Sequence, residues 1–146
     1  MRGESNMATS QGRMRTNYFR VADPERLREI VARAEGQDGE NLLLFEQVID
    51  DETLYGFGCE MQLQGYWDDE ADEYDYDAFV RDLQTVVTPG DAIIIMEVGY
   101  ERLRYVCGSA LIITHDKTES LSLTTLALYK AAEVLGNPEY QTRIEY

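Results

Sequence analysis

Between Thr53 and Gln64 the chain reads TLYGFGCEMQLQ, with Tyr55, Phe57, Cys59, Met61 and Leu63 on every second position and Gly56, Gly58, Glu60, Gln62 and Gln64 between them. A period of two belongs to a strand whose alternate side chains face opposite sides of a sheet. This stretch therefore predicts a strand with one buried face, and a fold with a second layer to cover that face.

The neighbouring segments supply both layers. NYFRV, residues 17 to 21, predicts a short strand ahead of a helix start, where Asp23 is placed to cap and Pro24 to occupy the first helical position. Leu27, Ile30, Val31 and Ala34 then follow at i, i+3, i+4 and i+7, and Gly36 is placed to end the helix. After QDGEN, the run LLLFEQVI predicts a buried strand that DDE turns into the alternating one. A second helix carries Tyr76, Phe79, Val80, Leu83 and Val86 or Val87, with Asp75 or Asp77 at its N-terminus, and TPGD ends it. AIIIMEV and RLRYVCGSALIIT predict a second hairpin joined through GYE. A last helix from about Ser122 to Leu135 stops at GNP, and YQTRIEY predicts an edge strand.

GENLLLFE aligns without gaps to GDAIIIME at an offset of 51, and YGFGCEMQL to YVCGSALII at an offset of 50. The order suggests a tandem α-β-β duplication: an α+β domain with a mostly antiparallel sheet and helices on one face. At 146 residues and 44% hydrophobic, the chain can bury one core. The expected domain is residues 15 to 146, with polar residues 1 to 14 as a flexible leader. The leader lacks the apolar core of a signal peptide and no run is long enough to span a bilayer, so the expected location is cytoplasmic, away from membranes.

Charge is segregated. The formal net charge is −15, yet residues 37 to 101 hold eighteen acids and one base, Arg81, while the flanking segments are close to balanced. Seven carboxylates crowd the positions from Asp68 to Asp77: Asp68, Asp69, Glu70, Asp72, Glu73, Asp75 and Asp77, interleaved with Tyr74 and Tyr76 and preceded by Trp67. Such a surface repels nucleic acid and anionic lipid and attracts cations or basic proteins.

Other chemistry finds little footing. Cys59 and Cys107, 48 positions apart with no CxxC spacing, read as two reduced, buried thiols. His115, the only histidine, falls in a surface turn, and Ser109 and Cys107 sit within a strand, unlike a nucleophile elbow. GFG at 56 to 58 lacks the third glycine of a dinucleotide fingerprint and lies inside a strand, where glycines permit close backbone approach. Read as a calcium loop from Asp68, the acidic run has Glu73 where Gly is required and Phe79 where Glu is required. Nothing selects a pair of glycosidase-type carboxylates from the eighteen. No cofactor is expected.

The reading that remains is recognition: a non-enzymatic protein that presents Asp68 to Asp77, with Trp67, Tyr74 and Tyr76 as aromatic anchors, to a basic protein surface. The competing expectation is a ligand-binding domain or small enzyme with a pocket between sheet and helices, the acidic face only solubilising. A third is a homodimer formed through the edge strand YQTRIEY. TNYFRV, YGFGCEMQLQGY, DYDAFVRDLQ and ERLRYVCGSALIIT together resemble small, acidic, uncharacterised proteins of integrative and conjugative elements or prophages of Firmicutes, over most of residues 15 to 146. That resemblance implies a mobile-element setting, in which acidic proteins that mimic nucleic acid to block restriction or CRISPR nucleases are a known class. It carries no site residues across.

Overall fold

The computed structural model describes residues 10 to 143. In chain order these form β1 (Ser10–Thr16), α1 (Pro24–Arg33), β2 (Ala34–Gly36), β3 (Leu43–Ile49), β4 (Glu52–Cys59), β5 (Leu63–Asp68), β6 (Glu73–Asp75), α2 (Tyr76–Val86), β7 (Ile93–Glu101), β8 (Tyr105–Ile113), β9 (Thr118–Ser122) and α3 (Leu123–Leu135). Six strands make one antiparallel sheet in the order β3-β4-β1-β7-β8-β9, and three make a smaller one, β2-β5-β6. The class is α+β and mostly antiparallel.

The segment expected to be a leader contributes the central strand. β1 pairs with β7 at seven positions, from Ser10 opposite Glu101 to Thr16 opposite Ile95, and with β4 on its other side. Residues 10 to 14 therefore belong to the sheet, and the rest of the expected leader, residues 1 to 9, lies outside the described residues. The expected strand at 17 to 21 is reduced to bridges, with Phe19 and Tyr55 exchanging backbone hydrogen bonds of 2.7 and 2.9 Å and Val21 opposite Val87.

The long alternating strand breaks in two. β4 ends at Cys59 and β5 begins at Leu63 in the other sheet, so the two halves of one alternating pattern serve two layers. Gly56 and Gly58 are buried with the apolar positions because neighbouring backbone presses on them: a Cβ on Gly58 would lie 3.0 Å from the Met14 carbonyl oxygen.

α1 and α2 pack on each other and cover one face of the large sheet. Asp23 and Asp75 cap them, accepting hydrogen bonds from the backbone N–H of Arg26 and Ala78. Leu27, Ile30 and Val31 of α1 meet Phe79, Leu83 and Val86 of α2 in the core. A chain of edge-to-face rings runs through it, from Phe19 to Phe57 at 6.1 Å, Phe57 to Phe79 at 6.0 Å and Phe79 to Tyr66 at 5.7 Å.

Several other expectations are corrected. LLLFEQVI is an edge strand, with Leu43 57% and Val48 67% exposed. Its turn is a two-residue loop, Asp50 and Asp51, both at positive φ, as a tight hairpin requires. The second hairpin turns at residues 102 to 104 instead of at GYE, and β9 is a strand the polar residues TESLS conceal. α3 stands apart from α1 and α2. A Cβ on Gly108 would meet the Leu123 side chain at 3.4 Å, on the face that Val98 and Val106 share by alternation, opposite the helical layer. Residues 140 to 143 form no strand, and residues 144 to 146 lie outside the described residues. Cys59 is buried as expected, whereas Cys107 is exposed near the free end of the β7–β8 hairpin.

Candidate functional site: the acidic hairpin

Segregated charge in the sequence becomes partly paired charge in the fold. Arginines of the N-terminal segment reach the acids of the middle segment: Arg20 meets Glu52 at 2.7 Å and Asp91 at 3.5 Å, Arg28 meets Glu46 at 2.6 Å, and Arg26 meets Asp82 at 3.2 Å. Five acids of the run from Asp68 to Asp77 are left out of these pairs. Among the described residues, Asp68, Asp69, Glu70, Glu73 and Asp77 form no ion pair with a lysine or arginine, and all five are exposed.

The hairpin is held by its backbone and its aromatics. Tyr66, Trp67 and Asp68 pair with Asp75, Tyr74 and Glu73. The cross-strand rings of Trp67 and Tyr74 meet edge-to-face at 5.0 Å, a contact worth about 0.5–1.5 kcal/mol beyond area burial. The Tyr74 hydroxyl donates to Glu35 Oε1 on β2 at 3.0 Å, and the Tyr66 hydroxyl donates to Asp82 on α2 at 2.6 Å. Asp68 Oδ1 accepts from the backbone N–H of Glu70 and Ala71, which closes the turn. Asp68 and Glu73 stand directly opposite each other, a like-charge placement that destabilises a strand pair. Stability does not account for it.

The ten residues singled out in sequence thus take different parts. Asp68, Glu73, Tyr74, Asp75, Tyr76 and Asp77 line one open depression. Asp69, Glu70 and Asp72 ring the turn at its end, and Trp67 is half-buried against Tyr74. Asp75 is committed to capping α2. Tyr76 is half-buried over Phe79, and burial, reinforced by the charge of Glu97, pushes its hydroxyl pKa up to about 12.

Tyr76 also borders a cleft that sequence reasoning missed, between α2 and strands β7 to β9, lined by Glu97, Ser109, Leu111, Thr118 and Ser120. Burial raises the Glu97 carboxyl above its ordinary pKa, opposed by the hydrogen bond it accepts from the Leu63 N–H at 3.3 Å. The carboxylate lies on an alternating apolar strand, IIIMEVGY, where period alone marks its position as inward-facing. No grouping of three or more metal-ligating side chains occurs among the described residues.

The fold and site define a class: an α+β domain of two antiparallel sheets with an acidic hairpin on the smaller one. No protein-family model matches the chain, and no match was found among curated proteins or solved structures.

Proposed function

We propose that the chain is a non-enzymatic interaction protein that presents the β5–β6 hairpin to a basic protein surface, as a nucleic-acid mimic directed at a nucleic-acid-binding protein such as a defence nuclease. One observation carries this reading. Among the described residues, the fold pairs arginines with acids elsewhere in the middle segment and leaves Asp68, Asp69, Glu70, Glu73 and Asp77 without such partners, beside a paired strand backbone that spaces them. A groove built to grip duplex DNA is lined with Lys and Arg, and a row of carboxylates beside half-buried aromatic rings is complementary to it. A mobile-element and cytoplasmic setting belongs to the same proposal, as does a tandem origin for the two large-sheet hairpins. No helix among the described residues is long and apolar enough to cross a membrane.

The test is affinity capture from a bacterial lysate with the parent chain and a variant carrying Asp69→Asn, Glu70→Gln, Asp72→Asn, Glu73→Gln and Asp77→Asn. Asp68 and Asp75 are kept because they hold the turn and the helix cap. A basic nucleic-acid enzyme retained by the parent alone, and released as salt screens charges beyond about 8 Å at physiological strength, is the expected result. Identical capture by both baits refutes the reading.

The cleft supports a second reading, a ligand-binding domain or enzyme with its pocket between sheet and helices, because it gathers Glu97, Ser109, Thr118 and Ser120 between α2 and the sheet. A small amine would suit the carboxylate. Thermal shifts with an amine panel test this: a ligand at about 100 times its Kd adds roughly 2.7 kcal/mol, and no stabilisation in the parent, or equal stabilisation in Glu97→Gln, removes it.

A further inference from the structure

We propose that the cleft between α2 and strands β7 to β9 binds a linear aliphatic diamine, with one ammonium held inside by Glu97 and the other at the rim by Asp77. This rests on the second reading above, a pocket between sheet and helices, and assigns that pocket its ligand class. The cleft measures about 400 Å³, within the roughly 300–1,000 Å³ of small-molecule sites.

The inner end presents acceptors. Glu97 takes one hydrogen bond, from the Leu63 N–H to Oε2, which leaves Oε1 without a donor among the described residues. Among those residues no lysine or arginine lines the cleft. Register sets Ser109 directly opposite Glu97, and the Tyr76 hydroxyl is near enough for the Glu97 charge to raise its pKa. Neither hydroxyl is hydrogen-bonded among the described residues. An ammonium carries three N–H donors and no acceptor, so one carboxylate oxygen and two hydroxyls match it. Burial that raises the Glu97 pKa is a desolvation cost on its charge, and a cation seated beside it offsets that cost.

The rim supplies the second charge. Asp77 lies on the first turn of α2, exposed, and has no lysine or arginine partner among the described residues. The positive end of α2 opposes a cation, but the Asp75 carboxylate already caps it. Val80, Ile95, Leu111 and Leu121 give the cleft apolar wall on which methylenes pack. Other ligand classes fit less well. An anion meets two carboxylates, a metal ion finds no group of three ligating side chains among the described residues, and a monoamine leaves Asp77 unused.

Isothermal titration of the full chain at neutral pH tests the assignment with probes of equal chain length: cadaverine, which carries an ammonium at each end, pentylamine, which carries one, and δ-aminovalerate, whose far end is a carboxylate. Cadaverine should bind about fivefold more tightly than pentylamine, the upper end for an exposed ion pair, and δ-aminovalerate more weakly than either. Asp77→Asn, with the parent circular dichroism spectrum, should bind cadaverine and pentylamine alike. Glu139→Gln removes an equal charge from an exposed position outside the cleft and should keep the cadaverine preference. Pentylamine binding with cadaverine no tighter, or a preference lost equally in Glu139→Gln, overturns the diamine assignment and leaves the amine pocket standing. Binding of none of the probes overturns both.

Discussion

Gly65 lies in β5 at the base of the acidic hairpin, against the backbone of Asp75 and Tyr76, and replacing it tests whether the hairpin holds its place as its proposed role demands. Its φ is +103°, and a Cβ there would lie 2.9 Å from both the Asp75 carbonyl oxygen and the Tyr76 Cα. Gly90 has a similar φ of +91° with nothing within 4 Å of its Cβ position. Gly90→Ala therefore incurs backbone strain alone, about 1–3 kcal/mol. Gly65→Ala incurs the same strain and must also displace β6 backbone, another 1–3 kcal/mol by the usual cost of overpacking. The unfolded-state entropy that alanine removes is common to both and cancels in the difference.

Urea denaturation of the two variants measures that difference, with Gly65→Ala expected lower in stability than Gly90→Ala by about 1–3 kcal/mol. Trp67, the single tryptophan, sits on the hairpin against Tyr74 and reports the same displacement directly. Its emission should change in Gly65→Ala and stay as in the parent in Gly90→Ala. Equal stabilities with unchanged emission would show that the hairpin yields freely, and the argument for a preset row of carboxylates would fail.

Two further measurements address the large sheet and the cleft. Thr16 is 1% exposed and its Oγ1 accepts from the Phe57 N–H at 3.0 Å, so Thr16→Val should strand a buried donor and cost about 1–3 kcal/mol in urea denaturation; no loss would remove β1 from its central place. Glu97 has a folded-state pKa raised by burial, so its ionisation favours the unfolded chain. Below the ordinary carboxyl pKa the group is neutral in both states, and as pH rises through the folded value stability is lost. Glu97→Gln, whose amide oxygen can still accept from Leu63, should match the parent at low pH and exceed it increasingly toward neutrality; an advantage independent of pH would contradict the burial argument.

What the sequence disclosed follows from how local each signal is. Asp23 with Pro24, and Asp75 ahead of Phe79 and Val80, mark helix starts through hydrogen bonds within a few residues, and both helices start where they were expected, although α1 ends at Arg33 and Ala34 to Gly36, read as its last turn and stop, form β2. β1 escaped because its alternation is Gly12, Met14 and Thr16 inward against Arg13 and Arg15 outward, a period of two with little apolar content. The break between β4 and β5 escaped for the opposite reason: the alternation continues across Glu60 to Gln62 although the chain changes sheets there. The acidic run was legible as charge. That Arg20, Arg26 and Arg28 pair elsewhere was not, because those partners lie 18 to 71 residues away and no period connects them.

The two readings of function answer differently to salt, and that separates them. Hairpin carboxylates attract a basic partner through exposed charge, so added salt weakens the contact. Glu97 lies in the cleft with its carboxyl pKa raised by burial, and a charge held there is screened much less. Raising salt should then release a partner from the hairpin while an amine bound in the cleft still stabilises the chain. The depression and the cleft share Tyr76 and Asp77 as lining residues, so a single salt midpoint for both losses would place them on one surface, and one of the two assignments would have to be withdrawn.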